Sequence, residues 1–290
     1  MSATPLTEGA RPQLKARKMN FPFAKHQNPP QRYWMAGSPF LTHMSNGINL
    51  LFPKGERFFI RSVRAFMDQI EDPELLAQVK GFMAQEVRHG MEHETFFELL
   101  EEQGYDTESF LQWYDKLAYE VLEPRFSPEM RLSVTAALEH YTAMFGEFAL
   151  QDGLPHAHEA LQDLLLWHAA EEIEHKSVAY DVLMEVDPSY RVRVAGMVLA
   201  TIGLLSFWAI ATRDLLQQDR QMRSSGEVKI DRRGVRQKMR EAYEAFWVRP
   251  TFRGMATGFM DYLRPDFHPD QHDNYQLAHD YLTSIGRLER

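Results

Sequence analysis

Glu86-Val87-Arg88-His89 and Glu172-Ile173-Glu174-His175 are the only two Glu-x-x-His stretches in the 290-residue chain, and the fold reading starts from where they sit. Positions i and i+3 share a helix face, so in each stretch a carboxylate and an imidazole can reach one ion. The first lies inside a helical run from about Glu74 to Gln103, opened by Asp72-Pro73 and closed by Gly104. The second lies inside a run from about His156 to Val186, between Pro155 and Asp187-Pro188. Each run has a helical neighbour just upstream. From Glu56 onward Phe59, Val63, Phe66, Met67 and Ile70 recur at helical spacing. Ser127-Pro128 pairs a capping residue with proline at the first helical position and opens a run to about Asp152. No stretch alternates with period two, so the expected class is all-α. Two helix pairs joined by one long crossover, carrying a short amphipathic helix over 107–122, give a ferritin-like four-helix bundle.

A di-metal centre in such a bundle needs one further Glu from each upstream helix, at the depth of the Glu-x-x-His stretch. Glu56 lies 16 residues before Asp72 and Glu86 lies 14 after it, which puts them within roughly 3 Å of one level. About the second turn, Glu139 lies 15 residues before Leu154 and Glu172 lies 18 after, a mismatch of about 4–5 Å. Glu147 would miss by about 16 Å. Glu56 and Glu139 also have apolar neighbours, where an ionised carboxylate is costly unless paired or metal-bound. His168 falls at i, i+4 and i+7 with Glu172 and His175, on the same face, and becomes a seventh ligand candidate. The candidate metal ligands are therefore Glu56, Glu86, His89, Glu139, His168, Glu172 and His175. His93 shares the Glu86 face but lies more than a turn deeper, so it reads as a supporting residue. Such a donor set suits two iron ions, with manganese as the alternative, better than structural zinc.

Composition closes off other chemistry. There are no cysteines, which excludes disulfides, thiolate metal sites and a Cys nucleophile. A net charge of −9 argues against a nucleic-acid surface. The N-terminal stretch to Phe21 is polar and basic, lacks the apolar segment of a secretory signal and reads as a mobile tail. A cytoplasmic location follows as the expectation.

The segments FPKGERFFIRSVRAF, EVRHGMEH and HAAEEIEHKSVAYDVL, together with the late YLRPDFHPDQHDN, resemble a bacterial family of predicted metal-dependent hydrolases, a ferritin-like group, over Trp34 to Asn274. That resemblance implies hydrolysis. The ligand spacing, with its His-x3-Glu-x2-His helix, also looks like that of di-iron arylamine N-oxygenases. The leading functional expectation is an oxygen-dependent di-iron oxidase or oxygenase acting on an organic, lipid-like or other small-molecule substrate. Its alternatives are hydrolysis by metal-activated water and a non-enzymatic metal-binding or membrane-associated structural protein.

Val194 to Thr212 is 19 residues without a charge, flanked by Arg191, Arg193 and Arg213. It is just long enough to span a bilayer. It can equally lie along the inner face of the membrane, cover a homodimer interface or be buried. The basic residues that follow (Arg220, Arg223, Lys229, Arg232, Arg233, Arg236, Lys238, Arg240) suit anionic lipid or a solvated helix. The expected organisation is a loop-rich lead-in over 1–55, the di-metal bundle over 56–187, and the apolar helix with a helical extension over 188–290.

Overall fold

The computed structural model describes residues 11–21, 23, 26–225 and 248–288. Among these the chain is all-helical, without strands; a lone bridge joins Met35 to Ala157. The helices are α1 (Pro39–Arg64), α2 (Pro73–Glu102), α3 (Glu108–Asp115), α4 (Pro128–Asp152), α5 (Glu159–His175), α6 (Val178–Val186), α7 (Tyr190–Ser224), α8 (Val248–Tyr262) and α9 (Tyr275–Ser284). Ser38, Asp72, Ser127 and Ser189 cap the first turns of α1, α2, α4 and α7 by accepting from backbone N–H groups. Such caps satisfy donors that have no partner inside the helix.

The helix expected to begin at Glu56 begins at Pro39, so the loop-rich lead-in ends at Ser38 rather than residue 55. Gly47 and Pro53 sit inside α1 instead of breaking it. A Cβ at Gly47 would stand 2.7 Å from Thr212 Oγ1 and 3.0 Å from its backbone nitrogen, so that glycine lets α7 approach. Pro53 costs one helical hydrogen bond, a loss the packing of α1 absorbs. The expected mobile tail is also corrected: Arg17, Met19 and Phe21 are buried against the helices. Residues 1–10 lie outside the described residues.

The run expected to continue unbroken from His156 to Val186 divides into α5 and α6 at Lys176-Ser177. A loop before α9 grips this break. Lys176 Nζ donates to Asn274 Oδ1 at 2.6 Å and to the His272 carbonyl, Ser177 bonds Asp270, and the Tyr180 hydroxyl donates to the Phe267 carbonyl at 2.5 Å. The crossover helix fills nearly the whole expected span over 107–122, but it changes type: α3 passes at Lys116 into a π-helical stretch to Leu122, and a 3-10 turn follows.

α1 packs along α2, and α4 along α5 and α6; α1 meets α4, and α2 meets both α5 and α6. The enclosed space is filled by Val63, Val79, Phe82, Leu132, Ala136 and Ile173, all without solvent contact. The apolar segment lies within the longer α7, which covers α1 and α4 from outside. Gly196 permits this, because a Cβ there would stand 2.7 Å from the Ser133 backbone carbonyl carbon, whereas Gly203 faces open space. The outer face of α7 leaves Val198, Ile202, Leu205 and Ile210 exposed. By length and composition α7 is able to cross a membrane, and only 28% of its apolar window is buried against protein. Arg193, expected as a flanking charge, is instead buried and donates to the carbonyls of Tyr262 and Arg264. Of the basic stretch, Lys229, Arg232, Arg233, Arg236, Lys238 and Arg240 lie outside the described residues.

Candidate metal centre

The seven candidate ligands come together in the interior between α1, α2, α4 and α5. Glu56 is contributed by α1, Glu86 and His89 by α2, Glu139 by α4, and His168, Glu172 and His175 by α5. None is more than 4% exposed, so bulk solvent barely reaches the four carboxylates. Gly90 makes room on α2, where a Cβ would meet Glu56 Oε2 at 3.1 Å. Glu147, the rival from α4, points elsewhere: it accepts from Gln151 and Asn274.

Two groups of ligand atoms share their carboxylates. Glu86 Oε1 lies 3.2 Å from His175 Nε2 and Glu86 Oε2 lies 3.9 Å from His89 Nδ1. Glu172 repeats the pattern: Oε1 is 2.7 Å from His168 Nε2 and 3.4 Å from His89 Nδ1, while Oε2 is 3.5 Å from His175 Nε2. Both carboxylates therefore face two directions. One side gathers Glu56, His89 and His168; the other gathers Glu139 and His175, with Glu139 Oε2 at 3.2 Å from His175 Nε2. Both oxygens of Glu56, Glu86 and Glu139, Glu172 Oε2, His89 Nδ1 and His175 Nε2 are buried without a hydrogen-bond partner. Orphaned acceptors at this density are what a site for cations requires, because buried carboxylates without a counter-charge are strongly disfavoured.

The electrostatics say the same. Burial raises Glu56 and Glu86 well above the carboxylate range, with neighbouring carboxylates adding to the shift. Glu139 is pushed up to about 7 by burial and by Glu172. Burial opposes ionisation of Glu172 too, but His175 and His168 outweigh it and hold its pKa low. For His89, burial is outweighed by the Glu171 and Glu172 carboxylates and its pKa rises. His168 is lowered to about 4 by burial and by His89, which keeps it neutral and able to ligate.

A surrounding layer fixes the imidazoles. His89 Nε2 is 3.0 Å from Glu171 Oε2, and His175 Nδ1 is 3.1 Å from Gln85 Oε1. Gln85 in turn donates to Glu174 at 2.8 Å. Arg17 closes the layer with bonds to Glu171 at 2.9 Å and to Glu174 at 2.5 and 2.9 Å. His93 Nε2 lies 2.5 Å from His168 Nδ1, so it orients the third imidazole. Such partners select which ring nitrogen faces the centre. Sequence reasoning missed Arg17, Gln85, Glu171 and Glu174. The two glutamates had a signal, since they lie beside Glu172 in a helix whose other neighbours, Trp167, Ala170 and Ile173, are apolar. Arg17 had none.

A cavity of about 80 Å³ reaches this centre at His168 and Glu172. It is walled mainly by apolar side chains between α1, α4, α5 and α7. At the surface a smaller set, His26, His158 and Glu159, also gathers potential ligand atoms.

No curated protein and no solved structure matches the chain. A family model described as predicted metal-dependent hydrolase matches residues 15–273, a span that holds all seven candidate ligands and Arg17. The chain belongs to this predicted metal-dependent hydrolase family.

Proposed function

We propose that the chain is a metal-dependent hydrolase holding two cations at the centre of a ferritin-like four-helix bundle. The observation that carries this reading is the set of buried, unpartnered carboxylate oxygens arranged in two groups around Glu86 and Glu172. Two cations would be held by Glu86 and Glu172 together with Glu56, His89 and His168 on one side and Glu139 and His175 on the other. With cations bound, such a centre supplies a water of lowered pKa and a site that polarises a carbonyl oxygen. The residues themselves do the positioning: Glu171 and Gln85 fix His89 and His175, His93 fixes His168, and the apolar cavity wall limits bulk water near Glu172.

The family description favours hydrolysis over the oxygen-dependent oxidase expected first. That oxidase remains a second reading because of one feature, a donor set made only of carboxylates and imidazoles and enlarged by His168. The deciding experiment loads the full chain with Zn(II), Mn(II) or anaerobic Fe(II) and offers it a panel of esters and amides, then oxygen. Ester or amide turnover that disappears on chelation supports the hydrolase. Oxygen uptake with a transient optical band on the ferrous protein, and no hydrolysis, replaces it by the oxidase. Tight metal binding with neither activity leaves a non-enzymatic metal-binding protein.

A further inference from the structure

Two cavities lie on either side of one pair of side chains. The inner one is lined by His168 and Glu172 and by Ile48, Phe52, Phe145 and Leu165. The outer one, about 460 Å³, is bounded by residues of α1, α7 and α8 and includes the exposed side chains of Leu205, Arg213, Gln217 and Arg220. Met44 and Trp208 line both cavities, so they form the partition between them. Trp208 is held in place by a 2.7 Å bond from its indole N–H to the Met44 carbonyl and by stacking on Phe252. The partner across the partition is a methionine, an unbranched side chain that adapts to its contents.

The two cavities differ in character. Arg213 and Arg220 at the outer end have no carboxylate partner among the described residues. Inward, the walls are mainly apolar, and Ser45, Thr142 and Thr251 are the polar side chains lining them besides His168 and Glu172. A guanidinium pair beside one cavity, next to a mainly apolar one that shares Met44 and Trp208 with it, matches a ligand with a charged head and a hydrocarbon body.

We infer that the centre acts on an anionic single-chain amphiphile, whose head stays at Arg213 and Arg220 while its chain passes Met44 and Trp208 toward His168 and Glu172. This rests on the reading of those two residues as part of a metal centre. The reacting group is then carried at or near the inner end of the chain. A substrate whose only reactive group sits beside the head does not reach the ligands.

The test uses the full chain, metal-loaded and metal-free, with decanoate, hexanoate and decanol as probes in titration calorimetry. Decanoate binds one-to-one in both forms. The double change Arg213→Glu and Arg220→Glu weakens decanoate about tenfold or more and leaves decanol unchanged. Ala149→Leu, which narrows the inner cavity, weakens decanoate while sparing hexanoate; Ile48→Phe serves the same purpose if that variant does not fold. Absence of decanoate binding overturns the inference, as does charge reversal without effect. A chain-length preference untouched by both cavity-filling changes also overturns it, because it places the chain on the outer surface of α7. Binding without ester or amide turnover sinks the hydrolase reading alone, and turnover of esters without amphiphile binding sinks this inference alone.

Discussion

A carboxyl group taken out of water keeps its proton unless something positive replaces the solvent. Glu139 is the measurable case. Its pKa rises from 4.5 to about 7 through burial and the nearby Glu172. A raised folded-state pKa contributes stability at low pH that is lost as pH rises through the folded value. Glu56 and Glu86 act in the same direction. His168, lowered to about 4, acts oppositely, since it must charge when the protein unfolds in acid. Cations compete with protons for the carboxylates and reverse the Glu139 trend. The difference in melting temperature between metal-loaded and metal-free protein therefore widens as pH is raised from 5 to 8. A constant difference in thermal scans would separate Glu139 from the metal.

Single substitutions divide the candidate ligands by role. Glu86→Ala and Glu172→Ala each remove a carboxylate shared by both groups, so each lowers bound metal by more than one ion per chain in elemental analysis. Glu147→Ala leaves metal content unchanged, since its side chain serves Gln151 and Asn274. His168→Ala retains two ions but alters the X-ray absorption spectrum of the loaded protein by the loss of one nitrogen donor. An unchanged spectrum reassigns His168 to a supporting place beside His93.

At the scale of the helix, glycine tells where surfaces touch. Gly196→Ala forces a methyl group against Ser133 of α4, where contacts of 2.0 to 2.7 Å leave no room. Chemical denaturation of that variant shows a loss of about 1–3 kcal/mol, the usual cost of overpacking. Gly203→Ala meets nothing and gains about 0.5–1 kcal/mol from helix propensity. The same scale shows what the sequence makes legible. Ser127-Pro128 marked the start of α4, and Ser38-Pro39 is the same signal for α1. It was hidden by Gly47 and Pro53, whose breaking tendency loses to burial of the helix. Level matching located Glu56 and Glu139 because rise per residue is a backbone property. The break at Lys176-Ser177 was not legible, since its partners Asp270 and Asn274 lie almost a hundred residues downstream. Arg17 shares that fate, being tied to Glu171 and Glu174 by contacts that only the completed fold creates.

Among the described residues, the outer side of α7 presents a face that the rest of the helices do not cover. Val198, Ile202 and Leu205 recur at i, i+4 and i+7 along the outer side of α7, a stripe of the kind that marks an interaction surface. We expect the double change Ile202→Asp and Leu205→Asp to leave metal content intact while abolishing either sedimentation with anionic vesicles or dimerisation in analytical ultracentrifugation. The assay that responds identifies lipid or a second copy as the partner. A parent protein that is monomeric and ignores vesicles disproves both.

The grip of the late loop on the α5–α6 break bears on how the protein is made. Every candidate ligand lies between residues 56 and 175, whereas the loop that holds Lys176 and Ser177 includes Phe267, Asp270 and Asn274. At ordinary rates of translation the ribosome delivers His175 roughly 5–20 seconds before that loop. During this interval the nascent chain holds all seven candidate ligands without the loop behind them. Under the proposed metal-binding reading, capture by the unfinished chain has this time window, and closure of the loop over Lys176 and Ser177 ends it.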